Sequence, residues 1–309
     1  MLYYKFSQFL KDKYGTKVYK LPLNIAVTCP NRDGRLGSKG CIFCGEEGAG
    51  FENLSNCLSV TEQLSQNARY IGKNYGSSKF IAYFQNYSNT YIPYNMFVKY
   101  ISEACVEDVV AIYISTRPDC IQERQLEFLS ELSAQKGIDI VLELGLQTVN
   151  YHTLQLINRG HTLAEFIDSA IRIKRYGLGL CAHYITDLPM DNMADVIEGA
   201  KILSALNIDQ VKCHSLFVLK ETKLGEMYQN GELVPVTLEQ YIERTIAFLE
   251  YLEPHIVIQR LIGRAPEERT LFCNWGTSWW KIVEQLEKTM IDRNTCQGSK
   301  FNYLGGLDY

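Results

Sequence analysis

Three cysteines, Cys29, Cys41 and Cys44, stand in the stretch CPNRDGRLGSKGCIFC. Cys41 and Cys44 have the x₂ spacing that lets two thiolates grip one metal centre from a single turn. Between the thiols lie Pro30, Asn31, Asp33, Gly34, Gly37 and Gly40, a turn-forming set that lets backbone wrap around a cluster rather than continue a strand. Three chemistries compete for such a loop. A disulfide is the plain reading of two nearby cysteines, but thiols at i and i+3 in a chain without secretory features usually bind metal or do redox chemistry. A structural zinc site is closed by four ligands and would need a partner such as Cys57. A [4Fe–4S] cube held by three cysteines leaves one iron without a protein ligand, and a substrate can chelate there. Spacing alone leaves zinc and iron–sulfur both open.

The loop must be carried by something stiff. An apolar run over 23–28 precedes it and reads as a buried strand, with a helix over 4–14 before that. After the loop a helix over 60–74 is expected, capped at Ser59 or Thr61. From there a short apolar strand, a polar tip and an amphipathic helix repeat. The strands fall at 79–84, 109–114, 139–144, 178–185 and 210–217, and the helices at 94–105, 121–134, 151–157, 162–176 and 193–206. This alternation specifies an α/β protein with a parallel sheet, and six successive units favour a barrel-like curl. No GxGxxG follows the first strand, which argues against dinucleotide binding. The repeat then fades into helices near 220–231, 238–252 and 278–290 and a strand over 255–261. The expected organisation is an N-terminal helical segment (1–22), a barrel (23–220) and an extension (221–309).

In parallel barrels chemistry collects at the carboxyl ends of the strands. The expected exits here are polar: QNYSNTY (85–91) after the second strand and STRPD (115–119) after the third. The fourth carries Glu143 and Gln147 in ELGLQT, the fifth His183 in CAHYITDLP, and the sixth Lys212 and His214, with Lys220 beyond. Each has a bland alternative. Asn and Ser after a strand are common turn residues, Arg117 and Asp119 fit a cap and ion pair at the next helix, and a lone histidine is more often a hydrogen-bonded core residue than a catalyst. The registry weighs against those alternatives, because every candidate falls at the same end of its strand as the cysteine loop.

With its aromatic Phe43 just before the last cysteine, the three-cysteine loop resembles the radical S-adenosylmethionine (SAM) superfamily. The eleven residues between Cys29 and Cys41 exceed the superfamily's usual Cys-x₃-Cys-x₂-Cys spacing. That departure and the wording TCPNRDG…GCIFC are similar to the YhcC/YtqA-type subgroup, relatives of the Elongator catalytic-subunit radical SAM domain. The resemblance runs on through NRGHT (158–162), VKCHSLFVLKETKL (211–224) and RLIGRAPEE (260–268). It implies a partial (β/α)6 TIM-like barrel, open at one side, with a C-terminal α/β extension. It also implies a [4Fe–4S] cluster on Cys29, Cys41 and Cys44, and SAM, whose cleavage gives a 5′-deoxyadenosyl radical that takes a hydrogen from the substrate.

Residue chemistry and the family layout together suggest how SAM is held. Phe43 and the Tyr184–Ile185 region would form the adenine shelf, and Gln85, Ser88, Asn89 and Thr90 would offer acceptors for the ammonium. Arg117, Arg172 or Lys174 would meet the carboxylate, and Glu143 and Gln147 the ribose hydroxyls. One departure matters. Where the subgroup shows ILGLPGE after the fifth strand, this chain reads Ile185-Thr186-Asp187-Leu188-Pro189-Met190-Asp191, and two lost glycines restrict the backbone there.

The resemblance further implies a tRNA wobble-uridine side chain as substrate, on the carboxymethylaminomethyl-to-aminomethyl branch. Lys212, His214, Lys220, Arg260 and Arg264 would then be phosphate or base contacts, with an electron donor such as flavodoxin or ferredoxin. Two alternatives stand beside this: a radical SAM enzyme for a small molecule or peptide, and a zinc-stabilised protein that binds a partner without redox chemistry.

Composition sets outer bounds. The chain has 309 residues, 46% of them hydrophobic, and a net charge of −4, so it can bury a large core and shows no global basic field for nucleic acid. Lys11, Lys13, Lys17 and Lys20 read as a solvated basic face. No apolar run approaches membrane-spanning length, and with no export signal at the amino end a reducing cytoplasm is expected. The seven cysteines outside the loop form no second tight pair, and most of them read as buried small residues.

Overall fold

The computed structural model describes residues 1–45 and 53–306. Helix α1 (Phe6–Tyr14) stops at Gly15, whose φ of +71° suits a residue without Cβ, and strand β1 (Val18–Leu23) follows. Next come α2 (Val60–Tyr75), β2 (Lys79–Phe84), α3 (Tyr94–Glu103), β3 (Val109–Thr116), α4 (Glu123–Lys136) and β4 (Asp139–Gln147). The chain continues through α5 (Tyr151–Leu156), α6 (Leu163–Arg175), β5 (Gly179–Ile185), α7 (Met193–Ala205) and β6 (Gln210–His214). The last part holds β7 (Val218–Leu219), α8 (Lys223–Gln229), α9 (Leu238–Tyr251), β8 (Val257–Arg260), β9 (Thr270–Phe272) and α10 (Trp279–Asp292). Local chemistry starts these helices where the sequence says. Ser59 and Glu62 cap α2 reciprocally, as Thr162 and Glu165 cap α6 and Asn192 and Asp195 cap α7.

Seven strands form one parallel sheet in the order β1-β2-β3-β4-β5-β6-β8, and β7 and β9 make a separate antiparallel ribbon. The sheet is rolled into a half-barrel. Adjacent strands lie about 4.8 Å apart, so in a flat sheet β1 and β8 would stand roughly 29 Å from each other. Lys20 Nζ on β1 instead lies 2.7 Å from Gln259 Oε1 on β8. The two edge strands do not pair along their length; Tyr4 and Lys5 bridge the gap at one end, where Ile258 N–H donates to Tyr4 O at 2.8 Å.

A large apolar layer packs the convex face of the sheet against the helices. The concave face begins with Val18, Ile81, Ala111 and Val141, plugged from below by Phe6, Phe9, Leu10 and Tyr14 of α1. A sealed apolar floor under polar strand exits is how a parallel barrel keeps chemistry at one end.

Three sequence expectations need correction. The first strand is Val18–Leu23 rather than 23–28, and the apolar run after it is irregular chain beyond the sheet. Lys20 hid that strand because its charge sits on the concave face, where Glu143 answers it; it is not part of a solvated face. The strand expected over 255–261 is present as β8 and joins the main sheet beside β6, so the sheet has seven strands rather than six. The ribbon of β7 and β9, two and three residues long, carried too little pattern to be read.

Candidate active site

The cysteine loop leaves the carboxyl end of β1 and is clamped by the segment after β4. Cys44 N–H donates to Cys41 O at 3.0 Å, the tight turn that brings those two thiols to one side. Asn31 Nδ2 donates to Asn158 O at 2.6 Å, Asn158 Nδ2 to Gly40 O at 2.7 Å, and Ile42 N–H to Ile157 O at 3.1 Å. Arg32 Nη2 holds the carbonyls of Cys44 and Gly45, each at 2.6 Å. Cys41 is the buried thiol of the three, and Asn31 Nδ2 and Arg159 Nη1 face its sulfur at 3.8 and 3.6 Å. The Cys44 thiol is pushed up by burial and by Cys41, against the pull of Arg32.

This surrounding fits thiolate ligands for an iron–sulfur cluster. Arg32, Arg117 and Arg159 converge on the loop, and the positive charge and N–H···S contacts they supply would stabilise sulfurs in the anionic form that ligates iron. The three loop sulfurs do not all lie within 4.8 Å of one another. A single zinc with bonds of about 2.3 Å needs ligand sulfurs about 3.8 Å apart. The one described trio of potential ligands within 4.8 Å of one another is Glu143, Cys181 and His183, not the loop. Cys57, the fourth zinc ligand expected on the competing reading, is exposed, with its sulfur 4.0 Å from Asn56 Oδ1.

Arg159 reaches Cys41 only because residue 145 is glycine. A Cβ there would lie 2.5 Å from Arg159 Nη2, which donates to Gly145 O at 2.8 Å. Gly145→Ala is therefore expected to displace Arg159 while leaving all three cysteines in place. The metal-loaded variant should lose iron to a chelator several times faster than the wild type, and equal rates would remove Arg159 from the account.

Below the loop, the barrel interior is a buried polar network centred on Glu143. Its Oε1 accepts from Lys20 Nζ at 2.6 Å and Gln259 Nε2 at 3.0 Å; its Oε2 accepts from His183 Nε2 at 2.8 Å, Lys212 Nζ at 3.2 Å and Ser115 Oγ at 3.4 Å. Burial would raise the Glu143 carboxyl, but Lys20, Lys212 and His183 overcome it and hold the group well below the usual range. Burial brings Lys212 down to about 7 and His183 to about 4, so the His183 ring is neutral and donates Nε2–H to the carboxylate. Lys212 also donates to Tyr83 OH at 2.6 Å.

A cavity of about 1240 Å³ runs alongside this network, from the cysteine loop down to Phe6, Leu10 and Val18 at the α1 end. Phe43 and Cys44 of the loop line it together with Gln85, Gln147, His183, Ile185, His214, Arg260 and Arg264. Gln147 enters it from a backbone at φ +76°, where the β4–β5 register slips. That is an uncommon conformation for a residue with a side chain and marks a place where the chain is bent to purpose.

Other expected contacts are elsewhere. Glu143 has both oxygens saturated inside the barrel and none to spare for a ribose. Arg172 lies on α6, paired with Asp168 and donating to Ile121 O, and Lys174 pairs with Asp209. The Tyr184 ring points to the convex side, stacked on Phe248 with its hydroxyl donating to Asp195 O at 3.1 Å. Lys212 is sealed onto Glu143 and Tyr83, and Lys220 donates to Glu268 O outside the cavity. Ser88, Asn89 and Thr90 are buried beside β3: Asn89 Nδ2 ties Phe84 O to Ser115 O, and Thr90 Oγ1 donates to Cys120 O. The Asn86 and Asn89 Oδ1 atoms in that exit are buried acceptors with no partner among the described residues. Arg117 is locked bidentately on Asp119 and donates to Arg159 O at 2.8 Å, so it braces the clamp.

The loop after β5 shows what replaced the glycines. Asp187 is buried, and its two carboxylate oxygens accept from Leu216 N–H at 2.9 and 3.0 Å, fixing the segment after β6 that lines the cavity. Burial raises its carboxyl from 3.8 to about 7. The folded state thus holds this proton more tightly than the unfolded chain, and its contribution to stability falls as pH rises from about 4 to about 7. Asp187→Asn removes that term. Urea midpoints at intervals across this range should shift against the wild type, relative to the variant, as pH rises; a constant difference would contradict the burial argument.

Asn31, Arg32, Arg159, Lys20 and Gln259 escaped the sequence reading. Arg159 lay in the NRGHT segment, where an arginine between Asn158 and Gly160 after a strand was the one visible signal. Lys20 and Gln259 gave none, because a charge in a short strand reads as solvent-facing until its partner is known.

Comparison with known proteins agrees with this architecture. The radical SAM superfamily model matches residues 23–203, and a radical SAM C-terminal domain model matches 208–292. Bacillus subtilis YtqA is 30% identical over 98% of this chain and 94% of its own length. The tRNA uridine(34) acetyltransferase of Methanocaldococcus jannaschii is 29% identical over 53% of this chain and 30% of its own. Among solved structures, archaeal Methanocaldococcus infernus Elp3 with an N-terminal deletion superposes with a TM-score of 0.67 at 18% identity, over 91% of this chain and 64% of that one. A half-barrel whose strand exits gather a three-cysteine loop over one cavity, matched by that model across more than half its length, places the chain in the radical SAM superfamily.

Proposed function

We propose that Cys29, Cys41 and Cys44 hold a [4Fe–4S] cluster at the mouth of the barrel, that SAM binds over it, and that the substrate is a tRNA wobble-uridine side chain on the carboxymethylaminomethyl-to-aminomethyl branch. The observation that carries the reading is the shared cavity: the loop residues Phe43 and Cys44 line the same space of about 1240 Å³ as the polar exits of β4, β5 and β6. That exceeds the roughly 300–1,000 Å³ of a site for one drug-sized ligand, so a cofactor and a substrate group can share it. When bound, the cluster and SAM supply a carbon radical able to take a hydrogen atom from the substrate.

The chain's own residues bind, orient and exclude. Asn31 and Arg159 direct N–H groups at Cys41. Phe43 gives an aromatic wall, Gln85 and Gln147 give amide groups, and Ile185 closes the side after β5. The saturated Glu143 network fills the barrel interior beside the cavity with groups that already have their partners, and Phe6, Leu10 and Val18 give the cavity an apolar wall at the α1 end. The tRNA part draws its support from the matching acetyltransferase, named for uridine 34 of tRNA. Comparing modified nucleosides in tRNA from cells with and without the gene tests it. A change confined to a wobble-uridine nucleoside is expected; an unchanged profile removes the tRNA reading and leaves the radical one.

A further inference from the structure

The cavity wall carries Lys5, Lys17, Lys20, Arg260 and Arg264 and, among the described residues, no aspartate or glutamate. This is out of keeping with a chain whose net charge is −4. Two of the five charges are answered, Lys5 by Glu287 and Lys20 by Glu143. Lys17, exposed just before β1, Arg260 and Arg264 are not: among the described residues none of the three has a carboxylate within ion-pair distance. Arg260 Nη2 donates to His214 Nδ1 at 2.6 Å, and its buried Nε has no hydrogen-bond partner among the described residues. Arginine has only donors, so His214 accepts with a neutral ring and supplies no compensating charge. The Arg264 guanidinium lies 4.2 Å above the Trp279 ring, a contact that fixes its plane without neutralising it.

For half-buried Arg260 the unmet donor is costly unless a ligand completes it, and exposed Arg264 brings a second positive charge to the same wall. SAM brings one carboxylate beside its sulfonium and ammonium, so its single negative charge leaves one of these two guanidiniums unbalanced. At the cysteine loop, the anionic sulfurs already have Arg32, Arg117 and Arg159. Balancing both Arg260 and Arg264 therefore calls for a further anionic group besides the SAM carboxylate.

We propose that Arg260 and Arg264, at the carboxyl end of β8 and just beyond it, form an anion subsite that takes a carboxylate or phosphate group of the substrate. The proposal rests on this cavity being the substrate site, not on the substrate being tRNA. Planar guanidinium forks match both oxyanions bidentately, so the two sources share one chemistry and differ in preference.

Equilibrium dialysis of the anaerobically reconstituted protein against radiolabelled inorganic phosphate, and separately against radiolabelled acetate, at fixed ionic strength tests this. Saturable binding at a single site is expected, and the tighter of the two anions assigns phosphate or carboxylate. Arg260→Met and Arg264→Met should each weaken it about tenfold, the loss of a charge-assisted hydrogen-bonding group. Because Arg264 is exposed, its variant reports even where Arg260→Met fails to fold. Wild-type protein that cleaves SAM yet binds neither anion saturably overturns the subsite alone, as does undiminished binding in a folded variant. Saturable, arginine-dependent binding together with an unchanged tRNA nucleoside profile upholds the subsite and removes only the tRNA reading.

Discussion

Glu143→Ala is expected to destabilise the folded protein by about 3–5 kcal/mol, the usual cost of leaving buried charges without their partner. Glu143 is fully buried, and Lys20, Lys212 and His183 all direct hydrogens at it. Removing the carboxylate leaves the Lys20 and Lys212 amines in the barrel interior without their partner, and neither has another carboxylate within reach among the described residues. Lys20 is held between aromatic faces, 4.5 Å from the Tyr83 ring and 4.3 Å from that of Tyr113. Those rings give some attraction, but cation–π energies of about 0.5–2 kcal/mol do not replace an ion pair in a desolvated site.

The network is not expected to be the most stable filling of that space. Replacing an entire buried ionic group by apolar residues of similar volume is often neutral or stabilising. The triple variant Lys20→Met, Glu143→Leu, Lys212→Met should therefore recover most of the stability that Glu143→Ala loses. Urea unfolding of all three proteins measures both effects. A loss below about 1 kcal/mol for the alanine variant would mean that the lysines find water, and the sealed floor would have to be abandoned.

Cys41→Ala is expected to abolish both iron retention and SAM cleavage, with activity falling below detection. Cys41 is the buried member of the trio and the one that Asn31 and Arg159 face, so no neighbouring donor stands ready to replace it. Cys57→Ser should keep iron and activity, because its exposed sulfur has no place in a three-thiol site. Iron analysis and 5′-deoxyadenosine formation on the two variants separate the iron–sulfur account from a four-ligand zinc site. Loss of metal in Cys57→Ser would favour zinc.

Much of this was legible in the sequence because the signals were local. Helices α2, α6 and α7 begin at their capping residues, and β2 to β5 follow apolar runs bounded by polar turns. The shared end of the strand exits was legible too, since alternating strands and helices leave one end for all the exits. What could not be read is where a side chain on a short strand points and what it meets. Glu143 looked like a ribose ligand because the expected strand ended at residue 144, yet β4 runs on to Gln147, and the neighbours of Glu143 in space come from strands more than a hundred residues away in both directions, at Lys20 and Gln259. Tyr184 and His183 are adjacent, and period-two alternation sends one to the convex layer and the other to the cavity. Arg172 carried the right charge on the wrong face of a helix. Asp187 replaced a glycine, and its purpose became visible only once Leu216 N–H was placed against it.

The most direct measurement is made on wild-type protein purified and reconstituted without oxygen, by iron and sulfide analysis followed by reduction in the presence of SAM. The account predicts a brown protein with about four irons and four sulfides per chain, releasing 5′-deoxyadenosine on reduction and losing both properties when Cys29, Cys41 and Cys44 are replaced together. A colourless protein with stoichiometric zinc and intact SAM, or a triple variant that still holds its iron and cleaves SAM, would contradict it.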